Sequence, residues 1–155
     1  MKKTIAIVGA TETTGRIIVK KFASMPYRLL LISNEINELD NLTKDLSVTQ
    51  SETEIESLDC VKDGCWEADI IILAVPIEKL KEVAESIKEV ATQKIVVEIF
   101  AEKKNSEELR KILPYSKLAT ISGDFQSEII VSGEDEIVNE EIRKIFNLAN
   151  FQVAI

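Results

Sequence analysis

Apolar and polar positions along this chain fall into two repeating patterns. Short β-branched runs without polar interruption alternate with stretches in which apolar residues return every three or four positions. The first pattern suits strands buried on both faces, and the second suits helices that cover them. Their regular succession predicts an α/β fold, a doubly wound, mostly parallel sheet with helices on both faces.

Strands are expected over residues 3–8, 27–33, 53–57, 69–75, 94–99, 117–121 and 128–132, with a final apolar strand at 151–155. The segment 48–58, which holds the third of these, has the weakest pattern. Helices are expected over 15–24, 38–46, 61–67, from Pro76 to Ala91, from Asn105 to just before Pro114, and over 135–148. Pro26 stops the first helix, whereas Pro76 opens the fourth, where its missing N–H costs nothing. Leu80, Val83, Ala84, Ile87, Val90 and Ala91 place one face of that helix on the sheet. Asn105 followed by Glu108 has the spacing of a capping box. A terminal apolar edge at 151–155 invites pairing with a second chain, so a homodimer is expected.

The turn after the first strand carries the candidate chemistry. Gly9 and Gly15 bracket Ala10, Thr11, Glu12, Thr13 and Thr14 between a β-branched run and a helix-period stretch. Such a strand, turn and helix aim backbone N–H groups and a positive helix end at a pyrophosphate. The spacing fits a G-x-x-G-x-x-G variant in which the first glycine allows the turn, the middle one admits phosphate, and the last packs helix on strand. Glu12 stands at the middle position. Its carboxylate would cost about 3 kcal/mol against each phosphate charge at about 5 Å and an effective dielectric of about 20. Thr11, Thr13 and Thr14 have two readings open, as hydroxyl donors to a ligand or as groups that only satisfy the turn. Arg16 is read as solvated or paired with Glu12, closing the loop over its own anion site, rather than as a phosphate ligand.

Composition narrows the functions. A chain of 155 residues, 45% hydrophobic, has the size of one domain with its own core. Nineteen basic against 27 acidic residues, a net charge of −8, leave no footprint for nucleic acid or an anionic membrane. The lack of a transmembrane-length apolar run or a signal-peptide pattern makes a cytoplasmic location the expectation. Cys60 and Cys65, five apart, have no standard metal or redox spacing and are read as reduced thiols. No metal site is expected. Histidine is absent, which excludes imidazole catalysis and histidine metal ligation. Hydride transfer between aligned donor and acceptor remains open, since it can proceed without a side-chain proton shuttle.

Three stretches together carry a family resemblance: Ile5-Ala-Ile-Val-Gly-Ala-Thr11, Ala68-Asp-Ile-Ile-Ile-Leu-Ala-Val-Pro76, and Ser106-Glu-Glu-Leu-Arg-Lys-Ile-Leu-Pro-Tyr-Ser-Lys117. With Ile129-Ile-Val-Ser-Gly-Glu-Asp-Glu136 they make the chain resemble the Rossmann-like nucleotide-binding domain of deazaflavin-dependent NADP reductases, and less closely the N-terminal domain of prephenate dehydrogenases. The resemblance implies a pyrophosphate at Gly9, Ala10, Thr11, Glu12, Thr13, Thr14 and Gly15. It implies an adenosine ribose at Ser33 and Asn34, and a nicotinamide ribose over Ala74, Val75 and Pro76, although a plain strand-to-helix turn explains the last three equally well. NADP-reading members carry Ser-Arg where this chain has Ser33-Asn34 followed by Glu35, which favours NAD over NADP.

Other departures from the family point the opposite way. The stretch Ala119-Thr-Ile-Ser-Gly-Asp-Phe125 lacks the Lys-Ala-Phe-Asn-like segment of the reductases and the His-Pro pair of the prephenate enzymes. Both families continue into a further domain, whereas residues 1–155 read as a single NAD(P)-binding domain without a second substrate domain. Two functions follow as expectations: an NAD(P)-dependent reductase whose missing pocket wall comes from a partner, or a non-catalytic module with a decayed nucleotide site that acts in association.

Overall fold

In a computed structural model of the chain, residues 3–47, 54–99 and 106–154 are described. Seven strands among them form one sheet: β1 (Thr4–Val8), β2 (Arg28–Ile32), β3 (Glu54–Leu58), β4 (Ile70–Leu73), β5 (Ile95–Ile99), β6 (Lys117–Gly123) and β7 (Ile129–Ser132). Their order is β3-β2-β1-β4-β5-β6-β7, parallel except for β7, which runs antiparallel to β6. The helices are α1 (Thr13–Phe22), α2 (Ile36–Ser47), α3 (Val61–Glu67), α4 (Ile77–Ile87), α5 (Ser106–Ile112) and α6 (Glu136–Leu148). This is the doubly wound architecture expected from the pattern.

Strand alternation divides the apolar residues into two layers. Ile5, Ile7, Leu29, Leu31, Ile70, Ile72, Ile95 and Val97 pack with side chains of α1, α2 and α6 on one face. Ala6, Val8, Leu30, Ile32, Ile71, Leu73 and Val96 pack with those of α3, α4 and α5 on the other. Because both faces of the central strands are covered, apolar residues sit at every position, which is why these runs lack polar alternation. Ala84 and Ile87 are buried on α4, with Leu80 and Val83 packed partly in the same layer, but the helix ends at Ile87 instead of Ala91, so Val90 and Ala91 are buried from the turn that follows it.

Several boundaries differ from the sequence expectation. α1 begins at Thr13 and ends at Phe22 instead of spanning 15–24, so Gly15 lies inside the first helical turn. The chain turns before Pro26, with the Met25 N–H donating to the Phe22 carbonyl. β3 is displaced by one residue from 53–57, and residues 48–53 lie outside the described part. Asn105 also lies outside it, so its capping role has no structural counterpart here. Asp135 precedes α6 as its cap, its carboxylate accepting from the N–H groups of Ile137 at 3.0 Å and Val138 at 3.4 Å.

The expected strand at 151–155 is corrected more substantially. Phe151 turns into the core, where its ring stands 5.3 Å from Phe146 and 5.8 Å from Phe125, and among the described residues of the segment only Val153 bridges to Ile129. Burying the ring stabilises the segment more than extending a solvent-exposed ladder would. The segment also covers part of β7, since the Ile129 N–H donates to the Gln152 carbonyl and the Ala154 N–H to the Ile129 carbonyl. Arg143 donates to the Val131 carbonyl at 3.3 Å. The segment from which a homodimer was expected thus spends these backbone groups on β7 of its own chain. No helix among the described residues is long and apolar enough to cross a membrane.

Candidate functional site

Because β1 lies between β2 and β4, the connections that leave these three strands meet at one edge of the sheet. Ligands of open α/β sheets bind at such a place, where the strand order reverses outside the carboxyl ends. Gly9, Ala10, Thr11 and Glu12 join β1 to α1, and Thr13, Thr14 and Gly15 form its first turn. Ser33 and Asn34 follow β2, and Ala74, Val75 and Pro76 follow β4. The fold therefore brings all the sequence-derived candidates to one edge.

Two glycines have stereochemical reasons to be there. Gly9 has φ +88°, and a Cβ on it would stand 2.5 Å from the Ala74 carbonyl oxygen, so this turn and the end of β4 touch through backbone. A Cβ on Gly15 would stand 2.0 Å from the Gly9 carbonyl oxygen, a spacing that only glycine permits between helix and loop. The Gly9 and Ala10 N–H groups both donate to the Ile32 carbonyl, at 3.0 and 3.2 Å. They are spent on the fold. The first-turn N–H groups of α1 have no intrahelical acceptor, and the Glu12 side chain caps none of them. That uncapped helix end is the part of the cradle that fits a diphosphate.

Glu12 occupies the cap position with φ −73° and ψ 161°, ordinary extended backbone. The missing middle glycine is therefore no conformational defect. What it changes is charge and space at the helix mouth, where a half-buried carboxylate now stands. The expected Glu12–Arg16 pair does not form. Arg16 instead donates from Nε to the Thr11 carbonyl at 2.8 Å and from a terminal nitrogen to Glu38 on α2. Glu12 and Arg16 are four apart, but Glu12 has the extended backbone of a cap position and not helical geometry, whereas Glu38 on the neighbouring helix accepts a charge-assisted bond.

Thr11 and Ser33 are buried and share a hydrogen bond of 2.6 Å between their hydroxyls, and Ser33 Oγ accepts from the Glu35 N–H at 3.0 Å. At most one hydrogen of the two hydroxyls remains for a ligand, so Thr11 serves the turn in the first place. Thr13 and Asn34 are exposed, Thr14 is half-buried, and Val75 and Pro76 flank the mouth as half-buried groups.

One buried group in this part of the sheet escaped the sequence reading. Glu98, on β5 beside Leu73 of β4 and Thr120 of β6, is 1% exposed, and neither of its carboxylate oxygens has a hydrogen-bond partner among the described residues. Loss of hydration, with a smaller push from Glu108 on α5, raises its pKa to about 8. A carboxylate without partners is strongly disfavoured in an apolar layer, so Glu98 is neutral at neutral pH. The signal was present: one glutamate interrupts Ile95-Val-Val-Glu-Ile99 at the register that alternation assigns to the α4 and α5 face.

The cysteines are free thiols, Cys60 exposed and Cys65 buried. Burial pushes the Cys65 thiol up to about 12, which leaves it protonated and unreactive.

Residues 4–102 match the family described as NADP oxidoreductase, coenzyme F420-dependent. Compared by sequence with curated proteins, the chain matches none. Among solved structures it is similar to a pyrroline-5-carboxylate reductase from Coxiella burnetii, with a TM-score of 0.74 and 16% identity over 98% of this chain and 57% of that one. A putative F420-dependent NADP-reductase from Arthrobacter sp. FB24 superposes with a TM-score of 0.72 and 13% identity over 96% of this chain and 82% of that one. Prephenate dehydrogenase from A. aeolicus gives 0.74 and 11% over 99% and 58%. At these identities the likeness establishes a shared fold. The chain spans 56 to 63% of the length of the first three solved relatives. The family match covers more than half of the sequence and takes in β1, the glycine turn, β2 and β4: the chain belongs to the coenzyme F420-dependent NADP oxidoreductase family.

Proposed function

We propose that this chain binds a nicotinamide dinucleotide across the carboxyl ends of β1, β2 and β4 and serves as the cofactor-binding part of an oxidoreductase. The observation that carries this reading is the Gly9–Gly15 turn, whose close backbone contacts leave the uncapped end of α1 facing the crevice. When bound, the nicotinamide would supply or accept hydride. The chain's own residues would hold it: the first turn of α1 against the diphosphate, Asn34 and Glu35 at the adenosine ribose, and Ala74, Val75 and Pro76 beneath the nicotinamide ribose. Asn34 and Glu35 offer no cation to a 2′-phosphate, and Glu35 can accept from a free 2′-hydroxyl, so NAD is the preferred form. The wall that seats the second substrate comes from another domain or another chain.

Thermal shift and calorimetric titration with NAD, NADP and their reduced forms test the reading. A ligand that binds only the folded state at 100 times its Kd adds about 2.7 kcal/mol of stability and raises Tm. A flat response up to several millimolar removes the proposal. Glu12→Gly should tighten binding by about tenfold or more, because it deletes the carboxylate while keeping a backbone that needs no glycine there.

A second reading is favoured by the Glu12 carboxylate at the helix mouth, which opposes diphosphate. Under it the nucleotide site has decayed and the retained role is association, as a homodimer or with another protein. A monomer in light scattering at high concentration, with nucleotide bound, would decide against it.

A further inference from the structure

We propose that Glu38 sets the cofactor preference by occupying the anion-binding face of Arg16, an inference that rests on the nucleotide-binding reading above. Arg16 projects from the first turn of α1, and its Nε is fixed by the Thr11 carbonyl at 2.8 Å. That anchor turns the rest of the guanidinium toward α2, where Glu38 accepts from a terminal nitrogen. The same Thr11 is tied through its hydroxyl to Ser33 at 2.6 Å, and Ser33 Oγ accepts from the Glu35 N–H. A continuous run of hydrogen bonds thus links Glu38, Arg16, Thr11, Ser33 and Glu35 across the end of β2. In this architecture the ribose of the adenosine half is read at that strand end.

Carboxylate and phosphate both accept from guanidinium N–H groups; with Nε given to Thr11 and a terminal nitrogen held by Glu38, a 2′-phosphate seated on that nitrogen competes with Glu38. Both partners of the existing pair reach solvent, with side chains 33% and 52% exposed, so an incoming ligand meets the pair directly. A ligand with a free 2′-hydroxyl leaves it intact. A 2′-phosphorylated ligand must separate Glu38 from Arg16 and then hold its charge beside the released carboxylate and Glu35. Arg16 is therefore a phosphate-competent residue held by an internal anion, and Glu38 is the specificity-determining position.

The test compares the wild type, Glu38→Gln, and the double variant Glu38→Gln with Arg16→Gln. Each is titrated calorimetrically with NADH and NADPH, and with adenosine 5′-monophosphate and adenosine 2′,5′-bisphosphate as probes of the ribose alone. Glu38→Gln is expected to leave NADH and the monophosphate within about twofold and to tighten NADPH and the bisphosphate by about tenfold or more. The double variant should lose that gain. If NADH binds but the NADPH to NADH ratio is unchanged in Glu38→Gln, the inference is overturned and the nucleotide site stands. If none of the four ligands binds any of the three proteins, both fall.

Discussion

Replacing Glu98 by leucine should make this protein more stable at neutral and alkaline pH. Folding raises the pKa of Glu98 from 4.5 to about 8, because the carboxyl leaves water without gaining a partner. A group raised in this way contributes its full stability below the unfolded value and loses it as pH climbs through the folded one. The window therefore runs from about pH 4.5 to about pH 8. At about 1.4 kcal/mol per pKa unit, the complete loss is about 5 kcal/mol, of which about 3 kcal/mol is already gone at pH 7. Leucine has no proton to exchange and little difference in size. Urea unfolding at about pH 5 and about pH 8.5 should give a variant modestly more stable at the lower pH, where the protonated carboxyl is still a buried unsatisfied polar group, and an advantage larger by several kcal/mol at the higher. Taking the difference between the proteins cancels the many surface carboxylates that titrate in both. Glu98→Gln should flatten the pH dependence in the same way while keeping an unsatisfied polar group, so it should stay below the leucine variant. Parallel stability curves for wild type and Glu98→Leu would show that the buried carboxyl is solvated or paired and refute the reasoning.

Other substitutions probe the packing of the site and the core. Gly15→Ala puts a methyl group 2.0 Å from the Gly9 carbonyl oxygen, so loop and helix must part; a loss of about 3 kcal/mol or more in chemical denaturation is expected. Phe151→Ala empties a ring site between Phe125 and Phe146 and frees the C-terminal segment from β7; it should cost about 3–5 kcal/mol. Hydrogen exchange at Ile129 should accelerate in that variant. Asp135→Ala removes the acceptor for two N–H groups of α6 and should cost about 1 kcal/mol, read as a lower Tm with unchanged secondary structure.

The glycine turn was legible because it depends on local rules. Gly9 needs positive φ and Gly15 needs contact without a Cβ, and both requirements show as glycine at a fixed distance after an apolar run. The partner of Arg16 was not legible, since Glu38 lies on a different helix and only the parallel pairing of β1 with β2 brings α1 and α2 together. Position in the sequence favoured Glu12, and geometry chose otherwise. Glu98 shows the same limit from the other side. Its place in an apolar strand was visible, but the absence of a partner among the described residues is a property of everything packed around it.

Periodicity and turn chemistry alone determined the order of strands and helices and the two-sided burial of β1, β2 and β4, because those follow from backbone sterics and the hydrophobic effect acting over a few neighbouring residues. Tertiary structure decided which charges meet, where the C-terminal segment goes, and that one carboxyl must give up its charge. Each of those depends on distances between residues far apart in the chain, and on whether the space between them holds water, which no local pattern records.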